Sequence, residues 1–138
     1  MRIERFTTAD CGEAYALWEK TEGVSLSGSD APKQLRRFLT INAKTSFVAK
    51  MDKAIVGTVL CGNDGRRGYI YHLAVSPKYR KMGVGRKLID HCLNALSEEG
   101  IQKCHAFVFA DNKNGRDFWQ SLSWKERTDL TLFSKELD

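Results

Sequence analysis

Five basic side chains, Lys78, Arg80, Lys81, Arg86 and Lys87, crowd around two glycines, Gly83 and Gly85, within ten residues of the chain. That combination is suited to holding a polyanion. Glycine lets the backbone approach an anion closely, and the first amides of a helix have no partner within it. Two elements must position such a site. An apolar, strand-like stretch from Tyr69 to Val75 precedes it, and a helical pattern placing Leu88, Ile89, Cys92, Leu93 and Leu96 on one face follows it. A dinucleotide fingerprint G-x-G-x-x-G fails because Leu88 holds the third glycine position, and no G-x-x-x-x-G-K-[ST] string is present. The plainer reading of two glycines, a solvated turn, does not account for the basic cluster.

Other chemistries find less support. Cys11, Cys61, Cys92 and Cys104 form no C-x-x-C pair and match no zinc spacing, so they read as buried free thiols and no metal centre is expected. The net charge of +5 is partly concentrated at the Gly83 turn. Aromatic residues are not interleaved with the basic ones, which argues against nucleic acid as partner. No apolar run is long enough to span a membrane, and Met1-Arg2-Ile3-Glu4-Arg5 lacks a signal-peptide core, so a cytoplasmic location is expected.

The rest of the pattern predicts one mixed α/β domain over 1–138. Residues 2–6 read as a strand, and Thr7 to Asp10 as a capping box before a helix carrying Tyr15, Leu17 and Trp18. A small-residue loop, Gly23 to Ser29, leads to a second helix begun by Ser29-Asp30-Ala31-Pro32. Strands are expected over 46–50 and 54–61, joined by a turn at Asp52, and then from Tyr69 to Val75. The helix from Val84 ends at Gly100, and residues 102–110 form a strand parallel to 69–75. Asn112 caps a short helix, and the 124–137 tail reads as one or two last strands.

The string Leu73-Ala74-Val75-Ser76-Pro77-Lys78-Tyr79-Arg80-Lys81-Met82-Gly83-Val84-Gly85-Arg86-Lys87-Leu88 resembles the acetyl-CoA motif of GNAT-type N-acetyltransferases, R/Q-x-x-G-x-G/A after an L-A-V strand end. Asn112-Lys113-Asn114-Gly115-Arg116-Asp117-Phe118-Trp119 is similar to that family's later N-x-x-A/G-x-x-F-Y segment. The resemblance implies an α/β (α+β) fold with a mixed, mostly antiparallel sheet of six to seven strands, a central splayed parallel pair and about four helices. It also implies acetyl-CoA as acetyl donor. The pyrophosphate would sit on the amides of Lys81, Met82, Gly83, Val84, Gly85 and Arg86 beside Arg80. The pantetheine arm would lie along Leu73, Ala74 and Val75, the Leu73 amide would face the thioester oxygen, and Asn112 and Trp119 would contact the donor from the later segment.

The reaction implied is acetyl transfer to a primary amine, which needs aligned reactants, a stabilised oxyanion and a base. The base is not singled out. Strict strand alternation puts Tyr69 and Tyr71 on the face of Leu73 and turns His72 the other way with Ile70 and Ala74, as a packed core histidine. Tyr71, Tyr69 and Glu22, with Asp64 acting through water, are the candidates. The family's acid tyrosine is Trp119 here, whose indole cannot serve as an acid. Where some relatives place a glutamate on the next strand stands Phe107. The loop 21–30 and second helix should meet the acceptor, with Arg36, Arg37, Arg66 and Arg67 able to meet a carboxylate or simply be solvated. A small-molecule amine and a peptide amine both remain open, and a homodimer is compatible with the resemblance. Two alternatives stand beside this reading: a non-catalytic acyl-CoA-binding or regulatory module of the same fold, and a dinucleotide-binding domain.

Overall fold

The computed structural model describes residues 1–137, which fall into two compact units, the first Met1–Phe107 and the second beginning at Val108. The first unit opens with β1 (Arg2–Arg5) and a 3₁₀ turn, Thr8–Asp10, that feeds α1 (Cys11–Glu19). The capping box forms as expected, the Asp10 carboxylate accepting the Thr7 amide at 2.9 Å. A second 3₁₀ turn, Gly28–Asp30, leads into α2 (Pro32–Ile41). Three strands follow, β2 (Phe47–Met51), β3 (Ala54–Asn63) and β4 (Gly68–Val75), then a 3₁₀ turn (Pro77–Tyr79), α3 (Val84–Glu98) and β5 (Cys104–Ala106). The second unit contains α4 (Lys113–Ser121).

The sheet runs β1-β2-β3-β4-β5, antiparallel throughout except for the parallel β4–β5 pair. The mixed, mostly antiparallel architecture with four α-helices is therefore as expected. The strand number is corrected, from six or seven to five among the described residues, and the parallel pair lies at the edge of that sheet and not at its centre. The strand expected over 102–110 pairs only across Cys104–Ala106, and the 124–137 tail forms none. Beyond Trp124 the alternation in that tail is not matched by burial, since Leu130, Leu132, Phe133 and Leu137 are all exposed.

One sheet face is covered by α1 and α2. Their Ala14, Trp18, Leu35 and Leu39 join Phe6, Val48, Leu60 and Ala74 in a buried cluster. The opposite face receives α3, whose Leu88, Ile89, Cys92 and Leu96 are fully buried and each remove roughly 1.5–3 kcal/mol worth of apolar surface from water. Gly57 permits this approach, because a Cβ there would meet Val84 at 3.0 Å and Leu88 at 3.1 Å. The four thiols are free, as expected; three are buried, and Cys104 is half-buried. A hydrogen bond with Cys61 and burial push the Cys104 thiol up, which disfavours the thiolate. Among the described residues no helix is long and apolar enough to cross a membrane.

One irregularity reorganises β4. Thr58 pairs with Ala74 and Leu60 with Tyr71, so His72 and Leu73 stand opposite Val59 alone. This bulge places His72 at φ 47°, a left-handed conformation uncommon outside glycine. It overturns the alternation expected for the strand. Tyr71 meets Phe38 of α2, the His72 ring meets Trp18 of α1, and Ala74 joins the same cluster, while Ile70 pairs with Cys61 on the α3 side. His72 thus shares a face with Tyr71 and not with Ile70.

Candidate functional site

Beyond Val75 the backbone leaves several helix-start amides without an intrahelical acceptor. The Ser76 amide closes the strand end on Val56 O at 2.8 Å, and the 3₁₀ turn carries the chain to Arg80. Lys81 at φ 62° and Gly83 at φ 79° then adopt two left-handed conformations one residue apart, a geometry that turns successive N–H groups toward one side. The first bond into α3 is Lys87 N to Gly83 O at 3.1 Å, so the Val84, Gly85 and Arg86 amides have no acceptor within the helix. No side chain caps them, and the first turn has no acidic residue. Buried Val84 and Gly85 fix the helix start, and exposed Arg80, Lys81, Arg86 and Lys87 surround it. Arg80 is tied down, its Nε donating to Val75 O at 3.2 Å. A Cβ on Gly83 would meet nothing within 4 Å, so glycine suits the position for its φ and not for space.

Upstream of that turn β4 parts from β5. Their pairing ends at Ile70 with Ala106, which leaves Tyr71, His72, Leu73, Ala74 and Val75 without a β5 partner. The expected donor strand edge is thereby open along Leu73–Val75.

Facing α1 and α2, the bulge organises side chains that alternation did not bring together. His72 Nε2 lies 2.6 Å from Asp30 Oδ1, with the two side chains 15% and 7% exposed. Asp30 is oriented by its other oxygen, which accepts the Ser27 amide at 2.9 Å. The Trp18 ring lies 4.7 Å from the imidazole. Its Nε1–H donates to Thr58 Oγ1 at 2.8 Å, and the Thr58 hydroxyl donates to His72 O at 3.1 Å. Asp30 stood in the sequence only as part of a helix start, and His72 as core. The signal that could have joined them is a histidine one residue before the expected oxyanion donor, with a capping-box aspartate in the loop expected to meet the acceptor.

The expected base candidates separate. Tyr69 and Tyr71 flank Phe107, with ring centroids 6.2 Å and 6.5 Å away, and form an aromatic wall. Burial pushes the Tyr71 phenol above its ordinary value, with a smaller effect from Tyr69, so phenolate is disfavoured. Glu22 is exposed on its loop. Asp64 accepts the Arg67 and Arg66 amides at 2.8 Å each in the β3–β4 turn, which holds its carboxyl below the usual range and ties it to the hairpin. Arg36, Arg37 and Arg66 are exposed, and Arg67 is half-buried.

In the second unit, Asn112 caps α4, accepting the Gly115 amide at 3.0 Å. Trp119 packs between Phe118 at 5.3 Å and Trp124 at 4.5 Å. The indole is therefore held by its own unit.

The model of the acetyltransferase (GNAT) family matches residues 13–124. An acetyltransferase of Photorhabdus laumondii is 31% identical over 138 residues, covering 99% of this chain and 96% of the relative. Among solved structures, AAC(6')-Iy in complex with the bisubstrate analogue CoA-S-monomethyl-acetylneamine superposes with a TM-score of 0.77 at 16% identity, over 99% of this chain and 98% of that one. The ribosomal-protein-S18-alanine N-acetyltransferase of Escherichia coli superposes with a TM-score of 0.72 at 21% identity, over 92% and 79%. At those identities the structures show the shared fold. The family match, spanning both sequence motifs, together with the full-length relative, shows that the chain belongs to the acetyltransferase (GNAT) family and is an acyltransferase.

Proposed function

We propose that this chain, acting over 1–138 as one catalytic domain, transfers an acetyl group from acetyl-CoA to a primary amine by direct attack in a ternary complex. The observation that carries the reading is the β4–α3 junction: an open strand edge runs into two left-handed residues and three unpartnered helix amides ringed by basic side chains. Those amides, with Lys81 and Arg86, suit the pyrophosphate of coenzyme A. The Leu73–Val75 edge suits the amide-bearing pantetheine arm as an added strand. When bound, the thioester supplies an activated acetyl group.

The chain's own residues then do three things. The turn and strand edge fix the donor, which turns a bimolecular encounter into an oriented one. The Leu73 amide stabilises the negative charge that develops on the carbonyl oxygen. The wall of Tyr69, Phe107 and Tyr71 guides the amine along the α1–α2 face and limits water there. Asn112 and Trp119 are counted among the donor-binding residues in this reading. The acceptor is a small-molecule amine or a protein amine, the two kinds represented by the acetylneamine bisubstrate complex and the ribosomal-protein enzyme named above.

The test follows thermal unfolding of the full chain with acetyl-CoA, free coenzyme A and a nicotinamide dinucleotide. A ligand at 100 times its dissociation constant adds roughly 2.7 kcal/mol of stability. Acetyl-CoA and coenzyme A should both raise the midpoint by several degrees and the dinucleotide should not. No response to acetyl-CoA overturns the proposal. A response without thiol release on a broad panel of amines favours a binding module of the same fold.

A further inference from the structure

We propose that His72 is the general base of the acetyl transfer and Asp30 the residue that sets its tautomer and position, an inference that rests on the transferase reading above. The buried Asp30 carboxylate can only accept hydrogen bonds, so it holds the imidazole proton on Nε2, 2.6 Å away. That leaves Nδ1 as a free lone pair. Nδ1 has no hydrogen-bond partner, and among the described residues no buried side-chain nitrogen or oxygen lacks one, so Nδ1 opens to solvent.

Three further contacts fix this nitrogen in place. Trp18 covers the ring face, Thr58 holds the His72 carbonyl, and the Ser27 amide aims Asp30. Asp30 is the ionisable group on the ring, and Trp18, from α1, is neutral. Glycine would occupy φ 47° at lower cost, and a buried carboxylate is costly to desolvate. A purely structural bulge requires neither. His72 also immediately precedes Leu73, whose amide is assigned to the carbonyl oxygen. The base and the oxyanion donor are consecutive residues of one bulge.

The step balances without another reactant. The amine nitrogen forms a bond to the acetyl carbon, and the carbon–sulfur bond breaks with its electron pair going to sulfur. His72 Nδ1 takes the proton released from nitrogen and passes it to the departing thiolate. The products are an amide and a thiol, and the imidazole ends neutral.

The test compares the native chain with His72→Gly, which suits the left-handed backbone, and with the isosteric Asp30→Asn. Acetyl-CoA is the donor, neamine and an alanine-terminated hexapeptide are the acceptor probes, and thiol release is the readout. Both variants should retain the thermal response to acetyl-CoA and lose kcat by about 10²–10⁴-fold. Added imidazole should restore part of the rate to His72→Gly and none to Asp30→Asn. Long-range ¹⁵N–¹H spectra should place the neutral-ring proton on Nε2 in the native chain. In Asp30→Asn the amide group can donate to Nε2 and drive that proton to Nδ1. Loss of kcat below about threefold in either variant overturns the dyad and leaves the donor site standing. If neither probe is turned over the spectrum decides, and a native proton on Nδ1 overturns it. A chain with no thermal response to acetyl-CoA instead removes the transferase reading beneath.

Discussion

Past Val75 the chain offers its backbone: two left-handed residues and a helix start whose amides await an acceptor. Three residues earlier, at His72, it offers a side chain gripped by groups from α1, β3 and the loop before α2. The proposed donor side needs a turn of the right conformation, which one short segment supplies. The proposed acceptor side needs contacts between residues 40 and 42 positions apart. Side-chain changes at the turn should therefore weaken binding by increments. Changes in the His72 network should propagate, because each member leaves another unpaired.

The largest effect outside the dyad itself is expected at Thr58. Thr58→Val removes the acceptor of the fully buried Trp18 indole and the donor to the His72 carbonyl, and an orphaned buried donor costs about 1–3 kcal/mol. The melting midpoint should fall by about 4 °C for each kcal/mol lost. Adding Trp18→Phe should recover part of that loss, since no buried N–H is then unpaired, and a strictly additive double variant would break the network account. The donor side should respond more gently. Arg86→Ala should weaken acetyl-CoA binding about two- to fivefold, as expected for an exposed charge, and the gap should narrow in about 0.5 M salt. A larger, salt-insensitive loss would mean that the side chain and not the amides holds the anion.

Tyr71→Phe should have the smallest effect. Burial raises the phenol above its ordinary value, so it stays neutral from about pH 6 to 9, and no limb of the rate profile should belong to it. The variant and native profiles should run parallel, within about threefold in rate. An alkaline limb that vanishes in Tyr71→Phe would return the tyrosine to the list of bases.

This same division decided what could be read from the sequence. The conformation of the turn proposed to hold the donor was legible because its determinants are contiguous: an apolar strand end, basic residues, Gly83 at a left-handed φ and a helix with one apolar face. The capping box at Thr7 and Asp10 and the stop at Gly100 were legible for the same reason. The His72 bulge was not. Alternation assumes one residue for one residue, and nothing local marks a non-glycine residue that will take φ 47°. Its partner Asp30 is 42 residues distant and carries its own local explanation as a capping residue. The tail failed in the opposite sense, since its alternating Leu130 and Leu132 have a strand pattern but no paired strand.

The most direct measurement of the central claim is a calorimetric titration of acetyl-CoA into the native chain, Gly83→Asn and Gly83→Val. A side chain at Gly83 meets open space, so only its left-handed backbone is at stake. Asparagine tolerates that conformation, whereas a β-branched residue does not. Binding at one site, retained in Gly83→Asn and weakened at least about tenfold in a folded Gly83→Val, is the predicted result. Equal affinity in all three chains, or none in the native one, would contradict a donor held on the amides of the β4–α3 turn.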